Sequence, residues 1–138
     1  MKMLCRFVLI FLVTINISEI SYADENVNQA VKVARDWLIL VDAGEYQKSW
    51  QEAAPIFKES TSIKKWSNLV ALVREPLGEV KSRKLIHAQF TETLPGAPKG
   101  EYVVIQFQTD FADKHSAIET ITPMKVKGVW KVSGYFIK

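Results

Sequence analysis

The sequence predicts an α+β domain in which three N-terminal helices pack on a curved, four-stranded antiparallel sheet. Three observations carry that prediction. Helical spacing of apolar residues fills the stretch from Asp24 to Val73 and strand alternation fills the remainder; a run of helices followed by a run of strands favours helices layered on one face of a sheet. The stretch LPGAPKGEYVVIQF, residues 94–107, joins a reversal to the clearest strand in the chain. Pro123 interrupts a later strand pattern, which implies a bulge or an edge and bends the sheet in either case.

Residues 1–23 have the layout of a secretory leader: Lys2 and Arg6, an apolar core Phe7–Ile17, and small residues at Ser21 and Ala23, with a cut expected after Ala23. The apolar core is shorter than the roughly 20 residues that a spanning helix needs, so no stable membrane span is expected after cleavage. Residues 24–138 then form one domain, periplasmic or secreted, able to bury a core without disulfides or metals. Cys5 is the single cysteine and lies in the charged start of the leader, so the domain's fold does not depend on the redox state of its compartment. Taking Lys2, Arg6 and Glu19 out of 18 basic and 15 acidic residues leaves the domain close to neutral, which speaks against nucleic acid as a partner.

The first helix is predicted to start just after Asp24, a competent N-cap, with Glu25 favourably placed against the helix dipole. Val27, Ala30, Val31, Ala34, Trp37, Leu38 and Val41 make one apolar stripe along it, and Gly44 closes it. Tyr46, Trp50, Ala53 and Phe57 lie at helical spacing on a second, shorter helix that Pro55 ends or kinks near Ala54. Ser60, Thr61 and Ser62 supply a break and a cap for a third helix, on which Ile63, Trp66, Leu69, Val70 and Val73 share a face; Pro76 and Gly78 stop it.

The first strand, Glu79–Thr91, sets Val80, Ile86, Ala88 and Phe90 against Lys81, Arg83, His87 and Gln89. Pro95, Gly96, Pro98 and Gly100 then supply the fixed and positive φ values that a reversal needs. The second strand, residues 101–111, is central: Val103, Ile105, Phe107 and Phe111 alternate with Tyr102, Gln106, Gln108 and Asp110. Residues 116–126 and 129–137 complete the sheet, joined tightly at Lys127 and Gly128. On the last strand Trp130, Val132 and Phe136 oppose Lys131, Ser133 and Tyr135.

The stretches ARDWLILVDAGEYQKSWQEAAPIF (34–57), PLGEVKSRKL (76–85), LPGAPKGEYVVIQFQTDF (94–111), IETIT (118–122) and GVWKVSGYFIK (128–138) together resemble a bacterial family known as domain of unknown function 4019. The resemblance implies a small exported bacterial protein with no catalytic residues to carry over. The element order is also similar to the cone-like fold of the nuclear-transport-factor-2-like (cystatin-like) group, in which a curved sheet wraps long helices around a pocket. That group includes isomerases, dehydratases and binding domains, so fold alone selects no activity.

The common chemistries are missing from the sequence. His87 and His115 are the only histidines and fall on different elements, so no metal site and no cofactor are expected. No G-x-S-x-G elbow and no phosphate loop occur. Asp110, Asp113 and His115 read as turn geometry. The tryptophans Trp37, Trp50, Trp66 and Trp130 sit on or beside apolar stripes and read as core; Tyr46 and Trp50 are the aromatics placed to line an opening if the core leaves one. Strand parity puts Arg83, His87, Gln106, Glu119 and Tyr135 on one sheet face, opposite the oily positions. Such a set is either a solvated face with cross-strand pairs or a ligand site.

The reading these residues favour is a non-enzymatic binding or interaction module of the bacterial envelope, engaging a small apolar ligand or another envelope protein. The alternative is an isomerase or dehydratase working by proton transfer in an apolar cavity. It needs a buried carboxyl base, whereas parity points Glu119 away from the cavity; a carboxyl buried beside Tyr135 or His87 is the observation that would support it. Self-association through the aromatic last strand is a third route, and the sequence leaves the oligomeric state open.

Overall fold

Residues 18–138 are described by a computed structural model. Helices α1 (Ser18–Asp42), α2 (Tyr46–Glu52), α3 (Pro55–Ser60) and α4 (Ile63–Arg74) come first, then a single 3-10 turn (Glu75–Leu77), then strands β1 (Val80–Thr91), β2 (Tyr102–Phe111), β3 (Lys114–Val126) and β4 (Val129–Ile137). The strands pair in sequence order, all antiparallel. The predicted α+β class is the observed one.

Up to residue 17 the expected leader lies outside the described residues. Helix α1 begins at Ser18, upstream of the predicted cap Asp24, and the expected cut after Ala23 falls within it; no proline or glycine between Ser18 and Asp42 breaks the helix there. The second predicted helix is two helices, which makes four in place of three. Ala53 and Ala54 are extended and Pro55 opens α3 at its first turn, where its missing N–H costs nothing. The break is tied to the sheet by Ala54 N–H donating to Val132 O at 2.8 Å.

One face of the sheet carries the core. Helix α1 lies across all four strands, both edges included, which requires the sheet to curl around it. Ala30, Ala34, Leu38 and Val41 are buried along α1 against Val103, Ile105, Phe107 and Ile121. At one end Trp37, Phe57, Trp66 and Tyr135 pack edge to face, with Phe57 and Trp66 centroids 4.8 Å apart and Trp37 and Tyr135 centroids 5.5 Å apart. Two of the buried indole N–H groups are paired, Trp37 donating to Ser49 O at 2.8 Å and Trp66 to Ser49 Oγ at 3.0 Å, whereas Trp130 Nε1 is enclosed without a partner among the described residues.

Three irregularities decide which side chains face this core. Opposite β2, strand β1 carries an extra residue between Val80 and Ser82 and another between Leu85 and His87, so Ile86 has no partner. Opposite β3, strand β4 carries an extra residue between Val132 and Gly134, where Pro123 enters. Each bulge shifts parity by one. Leu85 and Arg83 therefore face the helices below the Ile86 bulge, where Ala88 and Phe90 do so above it, and Tyr135 and Ile137 face inward beyond Ser133, where Trp130 and Val132 do so before it.

Candidate functional site

The predicted polar face divides in two. Arg83, Glu119 and Tyr135 do not share an outer face with His87 and Gln106; all three turn toward the helices. For Arg83 and Tyr135 the cause is the bulges at Ile86 and Ser133. For Glu119 it is pairing: opposite Phe107, and flanked by Ala117 and Ile121 opposite Thr109 and Ile105, it sits on the inward parity of β3. His87 stays exposed on the outer face beside Gln106, and Gln106 Nε2 reaches Thr120 Oγ1 at 3.4 Å.

The inward three form one network with two residues of the helices. Glu119 is 0% exposed. Its Oε1 accepts from Arg83 Nε at 2.8 Å and from Thr109 Oγ1 at 2.5 Å, and its Oε2 accepts from the Tyr135 hydroxyl. The other end of the Arg83 guanidinium grips Asp42 at the C-terminus of α1 through both oxygens, at 2.7 and 2.9 Å. Arg74, the last residue of α4, donates to Asp42 Oδ1 at 2.8 Å and stacks over the Phe111 ring at 5.0 Å. All four strands and the ends of two helices thus meet in a charge-balanced cluster of two arginines and two carboxylates.

The electrostatics follow from these contacts. Burial pushes the Asp42 carboxyl up, but the hydrogen bonds and charges of Arg83 and Arg74 outweigh it and hold it below the usual value. Burial works against the Arg83 charge, and Asp42 and Glu119 overcome that to raise its pKa. Burial first, then the neighbouring Glu119 charge, raises the Tyr135 hydroxyl and keeps its proton in place. Arg74 keeps Nε and Nη1 enclosed without a partner among the described residues.

Beside this cluster runs an apolar groove of about 280 Å³ between α4 and β4. Trp66, Leu69, Val70 and Val73 form one wall, and Tyr135, Phe136 and Ile137 the other. The α4 stripe predicted as core is only half spent on it: Trp66 and Val70 are buried, but Leu69 and Val73 are 48% and 44% exposed, and Leu72 on the same helix is exposed too. Tyr135 belongs to both features, its ring walling the groove and its hydroxyl bonded to Glu119.

Family comparison matches residues 33–135 to the family described as Protein of unknown function (DUF4019). The chain belongs to that family. The matched span holds the whole cluster, Asp42 through Tyr135. Comparison with curated proteins gives no match.

In this DUF4019 member the remaining predicted residues have other work. Tyr46 is half-buried and borders a hollow of about 350 Å³ with Asp42, Arg74, Glu75 and Glu79. Trp50 is half-buried, donates to Thr61 O at 2.8 Å and carries Lys58 over its ring. Asp110 holds a turn, accepting from Ser116 N–H at 2.7 Å. No group of His, Cys, Asp and Glu among the described residues is arranged to hold a metal ion.

Asp42, Arg74 and Thr109 were not singled out as site residues by the sequence pattern. Two carried a signal. Asp42 follows Leu38 by four residues, which puts a carboxylate on the apolar face at the helix end where the dipole disfavours it. Arg74 likewise follows Val70 by four.

Proposed function

We propose that this protein is an exported, non-catalytic binding module of the bacterial envelope, and that the groove between α4 and β4 takes an apolar ligand. The observation that carries the reading is the uncovered apolar surface of α4: Leu69, Leu72 and Val73 stay in solvent, Leu69 and Val73 on the groove wall, and exposed apolar surface of this kind marks interaction sites. The groove is near the lower end of the roughly 300–1,000 Å³ common for ligand pockets, and its walls are aromatic and aliphatic. Export rests on the order of charges, apolar core and small residues in 1–23.

Glu119 buried beside Tyr135 is the arrangement that favours the proton-transfer alternative. Its surroundings weigh against it: a general base must reach a substrate proton, and this carboxyl is enclosed with Arg83, Thr109 and Tyr135 on its oxygens. The cluster instead fixes Tyr135 as a rigid wall of the groove. The test is fluorescence enhancement of N-phenyl-1-naphthylamine by the exported, purified protein, compared with Leu69→Asp and Val73→Asp. Both sites are exposed enough to accept a charge without unfolding. Saturable binding weakened about tenfold or more by either variant is the expected result. Absence of binding, or equal binding by all three proteins, would overturn the reading.

A further inference from the structure

Strand β4 is an edge of the sheet, so one side of its backbone meets no further strand. Which groups lie on that side follows from the end of the strand, where Lys138 and Ile118 exchange both backbone hydrogen bonds, at 3.0 and 2.9 Å. In an antiparallel ladder such exchanging pairs alternate with pairs that exchange none. Phe136 opposite Thr120 is therefore the next bonded pair, whereas Ile137 opposite Glu119 and Tyr135 opposite Ile121 turn their N–H and C=O groups away from β3. Among the described residues no backbone group bonds to them there. The same two residues line the apolar groove with their side chains.

The remaining edges of the sheet are guarded against a further strand. Earlier on β4, Val132 O accepts from Ala54 N–H at 2.8 Å, and Ala54 is extended, with φ −62° and ψ 152°. The junction of α2 and α3 thus already lays one strand-like residue on this edge. The opposite edge, β1, is broken by its two bulges and carries Lys81 and Lys84. Tyr135, Phe136 and Ile137 have neither cover nor charge, and no charged side chain lines the groove beside them. Open pairing groups next to an apolar wall are the two parts of a site that binds by strand addition: main-chain hydrogen bonds hold the segment, and hollows take its alternate side chains.

Resting on the groove reading above, we propose that the ligand is an extended segment of another polypeptide, which pairs with β4 at Tyr135 and Ile137 and sets alternate apolar side chains against Leu69, Val70 and Val73. Alternation is required because successive side chains of a strand point to opposite faces. A second copy of this chain fits less well. Its own Tyr135 is bonded to Glu119 and packed against Trp37 and Trp66, so pairing β4 with β4 would leave both grooves unfilled. A free acyl chain would gain nothing from the main-chain groups.

The experiment uses the exported protein and two soluble peptides of one composition: leucine alternating with threonine between terminal lysines, and the same residues with the leucines contiguous. Displacement of N-phenyl-1-naphthylamine is expected to show the alternating peptide binding about tenfold or more tighter. Amide exchange of Tyr135 and Ile137, fast in the free protein, is expected to slow about tenfold or more in that complex, while Phe136 is protected throughout. Ile137→Pro removes an edge N–H that β3 does not use, and it is expected to weaken the alternating peptide while the dye still binds; the two measurements on the unaltered protein decide the matter even if that variant does not fold. Equal affinities, or no protection at Tyr135 and Ile137, would overturn strand addition and leave the groove reading intact. Protection that appears with rising protein concentration alone, together with dimers in light scattering, would assign the edge to a second copy and overturn the proposal. A dye that does not bind at all would overturn the groove reading, and this inference with it.

Discussion

Replacing Glu119 by glutamine tests whether the buried cluster holds the fold together. The side chain keeps its shape and loses its charge. An amide offers one acceptor and one donor, so one side of the group must invert. Tyr135 can adapt, because a hydroxyl can turn to accept; Arg83 cannot, because a guanidinium only donates. The amide oxygen therefore goes to Arg83 Nε and Thr109, and Arg83, 12% exposed, is left with Asp42 as its one charge partner. Breaking a buried pair outright costs about 3–5 kcal/mol. Because both Asp42 oxygens stay in place, the expected loss is about 2–3 kcal/mol. For a domain of this size that is a fall in Tm of roughly 8–15 °C. Glu119→Leu should cost more, since three enclosed donors then lose their acceptor. Urea unfolding at pH 7 followed by tryptophan fluorescence measures both. A loss for Glu119→Gln within the ~0.5 kcal/mol typical of surface substitutions would refute the reasoning.

Two further perturbations follow from the same cluster. Asp42 has a folded-state pKa below its unfolded value of 3.8, so its contribution is complete above that value and is lost as pH falls through the lower one; Tyr135 is raised above 10.0, so its contribution is complete below that value and is lost as pH rises toward the folded one. Unfolding midpoints measured across pH should fall at both ends, with Asp42→Asn flattening the acid limb and Tyr135→Phe the alkaline limb. Deleting Ile86 removes only the unpaired residue and leaves Leu85, Lys84 and Arg83 opposite Phe107, Gln108 and Thr109, so Arg83 still faces Glu119 and the expected loss stays below about 2 kcal/mol, while Ile86→Thr at this 46% exposed site should stay within ~0.5 kcal/mol. Circular dichroism melts measure both, and a loss above about 4 kcal/mol for the deletion would show that Arg83 had turned outward.

The strand ends were legible because their signals are local. Lys127 and Gly128 both adopt positive φ, at 48° and 80°, as a two-residue hairpin requires, and Ser62 accepts from Lys65 N–H at 3.2 Å as an N-cap does. Strand parity beyond a bulge was not legible, because a bulge is a relation between two strands. Nothing in RKLIHAQF says that Ile86 is the residue β2 skips. The segment IETIT is ambiguous in itself, since Ile118 and Ile121 fall on opposite parities; Thr109, Phe107 and Ile105 across the ladder decide it and bring Glu119 inside. The helical part failed more mildly, with Pro55 starting a helix as readily as it ended one.

The bulges and the charges specify each other. Arg83 faces Glu119 only if Ile86 is unpaired, and Tyr135 reaches Glu119 only if β4 carries its extra residue at Ser133. A one-residue slip of β1 would strand Glu119 without Arg83, a loss of about 3–5 kcal/mol, while the strand preferences of the residues that change face span only about 1 kcal/mol. The cluster therefore outweighs local propensity in choosing the register. A hydrophobic replacement could match its stability but would not discriminate between registers, since Leu85 and Ile86 are equally content in an apolar face. The register chosen in this way is also the one that sets Tyr135 against Trp66 and opens the groove beside α4, so the residues that lock the sheet are the ones that build the wall of the candidate site.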